Sequence, residues 1–226
     1  MDFLALAQRV RQEVGAAGSG PSSVTGQVGE AKRIVDYVPT AWLEIQSLHD
    51  SWSFLRGYFS FTTTDGQGEY TPAQAGITDL RYWYWDTFRC YPTAAGVNGE
   101  IELDTADYDS FKRVWRYGNR PSGQPIVATE RPNDRAIMLG PIPAAPGYTI
   151  YGDYQKSPVT LVNGTDTPNI PSDLHMVVVY KAMQYFALYE GGAPDVMARG
   201  TAGYNALIGR MQRELLPPML NCSPLA

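Results

Sequence analysis

The stretch GAAGSGPSSVTGQVGEAKRIV, residues 15–35, sets glycines, hydroxyls and a proline between two segments of helical apolar spacing. Its reading decides the fold. A phosphate-cradling loop would follow a buried strand and carry G-x-x-x-x-G-K-[ST], placing the chain among α/β nucleotide enzymes. This loop instead follows FLALAQRVRQEV (3–14), where Phe3, Ala7, Val10 and Val14 recur at three- and four-residue spacing. That spacing predicts an amphipathic helix stopped by Gly15. Gly20 is followed five residues on by Thr25-Gly26-Gln27, with no lysine, and GSG lacks the further glycine of a dinucleotide fingerprint. The stretch reads as a hinge between helices, with Ser23 or Thr25 capping the second by accepting one of its orphaned N–H groups.

Beyond the hinge, Ala31, Ile34, Val35, Val38, Ala41, Trp42, Ile45 and Leu48 hold helical phase to about residue 49. Pro39 interrupts the run without shifting it, which predicts a kink rather than an end. From Trp52 the character changes. SWSFLRGYFSFTTT and DLRYWYWDTFRCYP are aromatic and β-branched and flank a turn-rich connector, so both read as strands. PIVATE, RAIMLGP and YTIYGDYQK are further strands, and a short helix is expected over about 107–117, with Asp107 as its cap.

At Pro171 the helical pattern returns. SDLHMVVVYKAMQYFALYEGG is apolar nearly all round and predicts a buried helix stopped by Gly191 and Gly192. Pro194 suits the first turn of the next helix, whose apolar side carries Met197, Thr201, Tyr204, Leu207, Ile208, Met211 and Leu215. The expected fold class is therefore α+β. A small helical bundle, from 1–50 and 161–216, holds two N-terminal helices and a C-terminal helical hairpin, because neither pair buries its stripe alone. An antiparallel β-rich lobe over 51–160 is inserted between them, and residues 217–226 form an extended C-terminal tail.

Bulk properties narrow the function. A net charge of −5 over 226 residues argues against a protein that grips nucleic acid along its phosphates. Cys90 and Cys222 lie far apart in unlike surroundings and read as two free thiols rather than a disulfide or metal pair. The charged N-terminal segment lacks the pattern of a signal peptide, and no apolar run approaches the ~20 residues of a membrane span. A soluble protein made in the cytoplasm, with no membrane partner, is expected.

His49 and His175 have no second ligand at metal spacing and read as structural, so no metal or cofactor is expected. The acidic run EIELDTADYD (100–109) reads as a solvated face or subunit contact; a glycan-cleaving protein could instead draw Glu102 from it and use Trp83 as a sugar platform. Strand alternation in RYWYWDTFRCY puts Trp83 and Trp85 on one face with Arg81 and Arg89, and Tyr82, Tyr84 and Phe88 on the other. Two aromatic faces imply that the second is covered by a partner. The tail after Leu215, with two prolines, Met219, Leu220, Pro224 and Leu225, has the composition of a docking segment.

The order of these features resembles a known family. QRVRQEVG, the loop GPSSVTGQ-GE, YTPAQAGI, the LGPIP strand pair and IPSDLHMVVVYKAMQYFALYEGG together resemble the head–tail adaptor proteins of tailed bacteriophages. The resemblance covers all but the terminal tail. It implies a non-enzymatic virion component: a ring, dodecameric in the family, between capsid and tail. Its partners would be copies of itself, the portal protein and a downstream tail protein (nozzle or tail tube), with DNA only passing through its channel. On that expectation Leu216, Pro217, Pro218, Met219 and Leu220 dock on the portal, and Trp83, Trp85 and Arg89 meet a neighbouring subunit or the tail. A different neck or tail-completion ring protein, and a carbohydrate-binding or glycan-cleaving β-sheet protein, are the alternatives.

Overall fold

The structure is a computed structural model and describes residues 1–18, 20–189 and 193–217. The chain forms two compact units, residues 1–54 together with the chain from Pro158 onward, and Leu55–Ser157.

The first unit is helical: α1 (Phe3–Val14) and α2 (Gly29–Ser47) precede the second unit in sequence. Two further helices of this unit, Met176–Tyr189 and Pro194–Leu215, follow the second unit in sequence. Asp2 caps α1 by accepting the Ala5 N–H at 2.8 Å, and Gly15 ends it in the left-handed region, φ 74°, with its N–H returned to Arg11 and Gln12. Phe3, Leu6, Ala7 and Val10 are its buried residues; Val14 is half-buried. α2 runs through Pro39 as one helix and buries Ile34, Val35, Val38, Ala41, Trp42 and Ile45.

The hinge holds, but its expected cap does not. Val28 occupies the cap position with no side-chain bond, while the Ser23 hydroxyl donates to the Thr25 carbonyl at 2.6 Å. A capping side chain must sit beside the first turn, and α2 begins only at Gly29, four residues beyond Thr25.

The helix Met176–Tyr189 packs against each of the other three and buries Val177, Val178, Val179, Ala182, Met183, Phe186 and Ala187. In the last helix Pro194 opens the first turn as the sequence predicts. Its contact face differs from the expected stripe: Val196, Gly200, Ile208 and Met211 are buried, and Thr201 is exposed. A Cβ on Gly203 would lie 2.7 Å from the Tyr180 ring, and one on Gly200 would lie 3.1 Å from the Tyr180 carbonyl oxygen. Two glycines thus let the hairpin helices approach closely, a contact that apolar periodicity cannot register.

The second unit holds the strands β1 (Arg56–Thr62), β2 (Glu69–Tyr70), β3 (Leu80–Pro92), β4 (Ile101–Glu102) and β5 (Asp104–Thr105). Then come α3 (Tyr108–Trp115), β6 (Ser122–Gly123), β7 (Val127–Glu130), β8 (Ile137–Gly140), β9 (Ile142–Pro143) and β10 (Tyr148–Lys156). With α3 defined, the Met176–Tyr189 helix is α4 and the Pro194–Leu215 helix is α5. One sheet has the order β1-β10-β3-β4 and is antiparallel throughout. A second has the order β2-β8-β7-β5, and β6 pairs with β9; the two-residue pairings β5–β7 and β6–β9 are parallel. Phe59, Tyr70, Trp83, Phe88, Ile137, Leu139 and Ile150 belong to the unit's own apolar core. The fold is α+β with a β-rich lobe, as expected from the sequence.

Candidate functional site

β3 carries the aromatic run, and a bulge decides which way each residue faces. Against β10, Tyr84 lies opposite Asp153 and Arg89 opposite Tyr151, so five steps on β3 match two on β10. The odd excess inverts the alternation. Thr87 holds the bulge: its hydroxyl accepts the Asp153 N–H at 2.8 Å and donates to the Tyr84 carbonyl at 2.7 Å. Trp83 therefore shares the core face with Phe88 and Cys90, while Arg89 joins Tyr84 on the outer face. The expectation that Trp83, Trp85 and Arg89 present one surface is corrected. Trp83 is buried and donates its indole N–H to the Arg135 carbonyl at 3.0 Å. Trp85, half-buried, packs on Phe88 with 4.5 Å between ring centres.

The outer face of the same sheet is the surface that sequence reasoning missed. Tyr58 on β1, Tyr151 on β10 and Tyr91 on β3 form a row, with ring centres 6.0 and 6.1 Å apart. Arg56 joins Asp153 at 2.6 Å and lies over the Tyr84 ring, while Arg89 faces Glu102 at 3.6 Å. Tyr151 donates to Glu100, and that bond, with burial and the charge of Glu100, pushes its phenol up to about 12. Tyr58 is 65% exposed. On β1 and β3 residue type carries part of the signal: Phe59, Trp83 and Phe88 face the core and Tyr58, Tyr84 and Tyr91 the outer side, whereas Tyr154 on β10 is a core residue, so the pattern does not extend to every strand.

The acidic run is committed to local structure. Glu100 accepts from Tyr151, Glu102 faces Arg89, and Asp107 caps α3 by accepting the N–H groups of Asp109 and Ser110 at 3.0 and 3.1 Å. The Asp107 cap matches the sequence expectation, and the Ser110 side chain, together with those two N–H bonds, holds its carboxyl below the usual range. Glu102 and Trp83 lie on opposite faces of the sheet, so the pair on which a glycan site would rest is not brought together.

His175 is buried, its Nε2 lies 3.1 Å from the Ile170 carbonyl oxygen, and burial pushes its pKa down. Asp173 pairs with Arg210 at 2.5 Å. His49 meets Gln212 at 2.9 Å and stands edge-on to Trp52. Cys90 is buried and free, and burial pushes its thiol up to about 12; Cys222 lies outside the described residues. Among the described residues, no three His, Cys, Asp or Glu side chains gather as a metal site. Nor is any helix among them long and apolar enough to cross a membrane.

The end of α5 lines a concavity. A groove of about 910 Å³ is lined by Gly209, Gln212, Arg213, Leu216 and Pro217, with His49 and Ser51 from the segment after α2. The chain leaves α5 extended, Leu216 having φ −94° and ψ 151°. Of the portal-docking candidates, Leu216 and Pro217 line this groove; Pro218, Met219 and Leu220 lie outside the described residues.

A helical unit interrupted by a β-rich lobe, with Glu100, Glu102, Asp107 and both histidines engaged in structural contacts and its distinctive features on surfaces, has the makings of an assembly protein. Residues 1–219 match the SU10 adaptor protein family. The chain belongs to that family, the phage head–tail adaptors, which are structural virion components that work between portal and tail. No curated protein matches the chain.

Proposed function

We propose that copies of this chain form a ring that docks under the portal, joins the capsid to the tail and surrounds the channel through which DNA leaves. The chain has no chemistry of its own in this reading. The observation that carries it is the groove at the end of α5, which opens where the apolar docking segment Leu216, Pro217, Pro218, Met219 and Leu220 begins. A ring of about twelve copies is the family expectation, and identical subunits in a closed ring contact one another through unlike surfaces. The outer sheet face with Arg89, Tyr58 and Tyr151 supplies such a surface, toward a neighbouring copy or the nozzle or tail-tube protein below. Tyrosine and arginine are among the residues enriched at protein interfaces. Trp83 drops out as a contact because it is buried; Trp85 stays a candidate because it is only half-buried. The net charge of −5 suits a channel that lets DNA pass without holding it.

Truncation after Leu215 tests the reading. The shortened chain should remain folded by circular dichroism and lose co-purification with portal protein. Undiminished portal binding by the truncated chain rejects the assignment of the docking segment.

A further inference from the structure

The lobe holds a second concavity whose chemistry differs from that of the α5 groove. It is a cleft of about 250 Å³ where β3, the start of α3 and β7 meet. Its lining includes two aromatic residues, Trp85 and Tyr108, and two acids, Asp107 and Glu130, with no lysine, arginine or amide side chain among the lining residues. The cleft is smaller than the ~300 Å³ at which small-molecule pockets begin. It has room for a single side chain.

The lining groups are unequally occupied. The Thr129 hydroxyl donates to the Ala106 carbonyl at 2.8 Å. Asp107 is engaged by two backbone N–H groups and by the Ser110 side chain, and its two-oxygen carboxylate keeps only limited acceptor capacity beyond these. Glu130 is the least satisfied. The nearest cation to it is Arg135, at 3.7 Å, long for a charge-assisted bond. Burial raises its pKa against that attraction, so its charge is partly stripped of water. Tyr108 already has the Lys112 ammonium 4.8 Å from its ring centre.

An anion would be repelled by two carboxylates. A neutral ligand, a sugar included, would shield Glu130 further without neutralising it. A cation reverses that cost, and aromatic rings attract it by their quadrupole. Guanidinium suits the set better than ammonium, because its plane stacks on indole while its fork meets carboxylate oxygens. We propose that the Trp85–Glu130 cleft is a socket for one arginine side chain presented by a protein partner. The assignment concerns the lobe and stands apart from portal docking by the helical unit.

The test uses the full chain with nitrogen-15-labelled tryptophan, its Trp85 indole resonance identified by Trp85→Phe. N-acetyl-arginine amide is titrated beside N-acetyl-citrulline amide, which has nearly the same shape and no charge, and beside N-acetylglucosamine. The expected result is a saturable shift of the Trp85 signal with the arginine compound, at least about tenfold weaker with citrulline, and weakened by added salt. Glu130→Gln should reduce arginine affinity by about tenfold while the Trp83 indole signal stays in place as the sign of an intact core. Asp107→Asn, which keeps the helix cap, should reduce it less. Equal responses to arginine and citrulline, a response to the sugar alone, or no movement of the Trp85 signal each overturns the proposal.

Discussion

Glu44 joins two helices by one carboxylate. From α2 it reaches Lys181 on α4 at 2.7 Å and accepts from the Tyr185 hydroxyl one turn further along. Burial alone would raise its pKa, but the bonds from Lys181 and Tyr185 and the lysine charge outweigh it and hold the carboxyl below its ordinary 4.5. A depressed folded-state value stabilises the fold above the unfolded-state pKa, and that stabilisation disappears as pH falls through the folded-state value. Because the side chain is 41% exposed, solvent screening keeps the effect within the surface range of ~0.5–1 kcal/mol. Glu44→Gln should therefore lose about that much stability at pH 7 in chemical denaturation, and the gap to the unaltered chain should narrow as the pH is taken from 7 to below 4.5. A gap that stays constant between those pH values would show that the ionised carboxylate is not its source.

At the scale of elements, what the sequence discloses depends on whether a pattern survives the geometry. The helices are legible because a 3.6-residue stripe needs only apolar residues in phase, and α1, α2 and α4 have them. Asp107 is legible as a cap because it immediately precedes the first turn of α3. Ser23 and Thr25 mislead because nothing in residue type reveals how far the hinge runs before α2 begins. β3 misleads for a different reason: alternation assumed over thirteen residues fails at one bulge, and every residue after it faces the other way. α5 misleads because glycine, invisible to hydrophobic patterning, forms part of its contact face. That last point is testable. Mid-helix glycine costs about 1 kcal/mol relative to alanine, so Gly209→Ala, whose Cβ would meet nothing nearer than Arg213 at 3.8 Å, should raise stability by up to about that amount. Gly203→Ala drives its Cβ into the Tyr180 ring and should lower stability by ~1–3 kcal/mol despite the same intrinsic gain. Thermal denaturation of the two variants decides it: if both are stabilised, α4 and α5 do not meet at Gly203.

For the whole molecule, the decisive feature is how the chain enters and leaves the lobe. It enters at Leu55 and leaves at Ser157, and the flanking residues Arg56 and Gln155 are paired across neighbouring strands β1 and β10. Paired residues in an antiparallel ladder have Cα atoms ~5 Å apart, so the two crossing points are adjacent and the lobe closes its own sheet. An insertion built this way adds a surface without lengthening any connection inside the helical unit. The lobe also has its own buried core, centred on Phe59, Trp83, Phe88 and Ile150, and a size, about a hundred residues, at which single domains commonly fold alone. Residues 55–157 expressed by themselves should therefore fold, with a cooperative denaturation transition followed by the fluorescence of Trp83, Trp85 and Trp115. The Trp85 signal should keep its response to the arginine compound, since every residue lining that cleft lies within the segment. A segment that unfolds without cooperativity would mean that the lobe takes its stability from the helical unit, and that the two units act in the adaptor as one body.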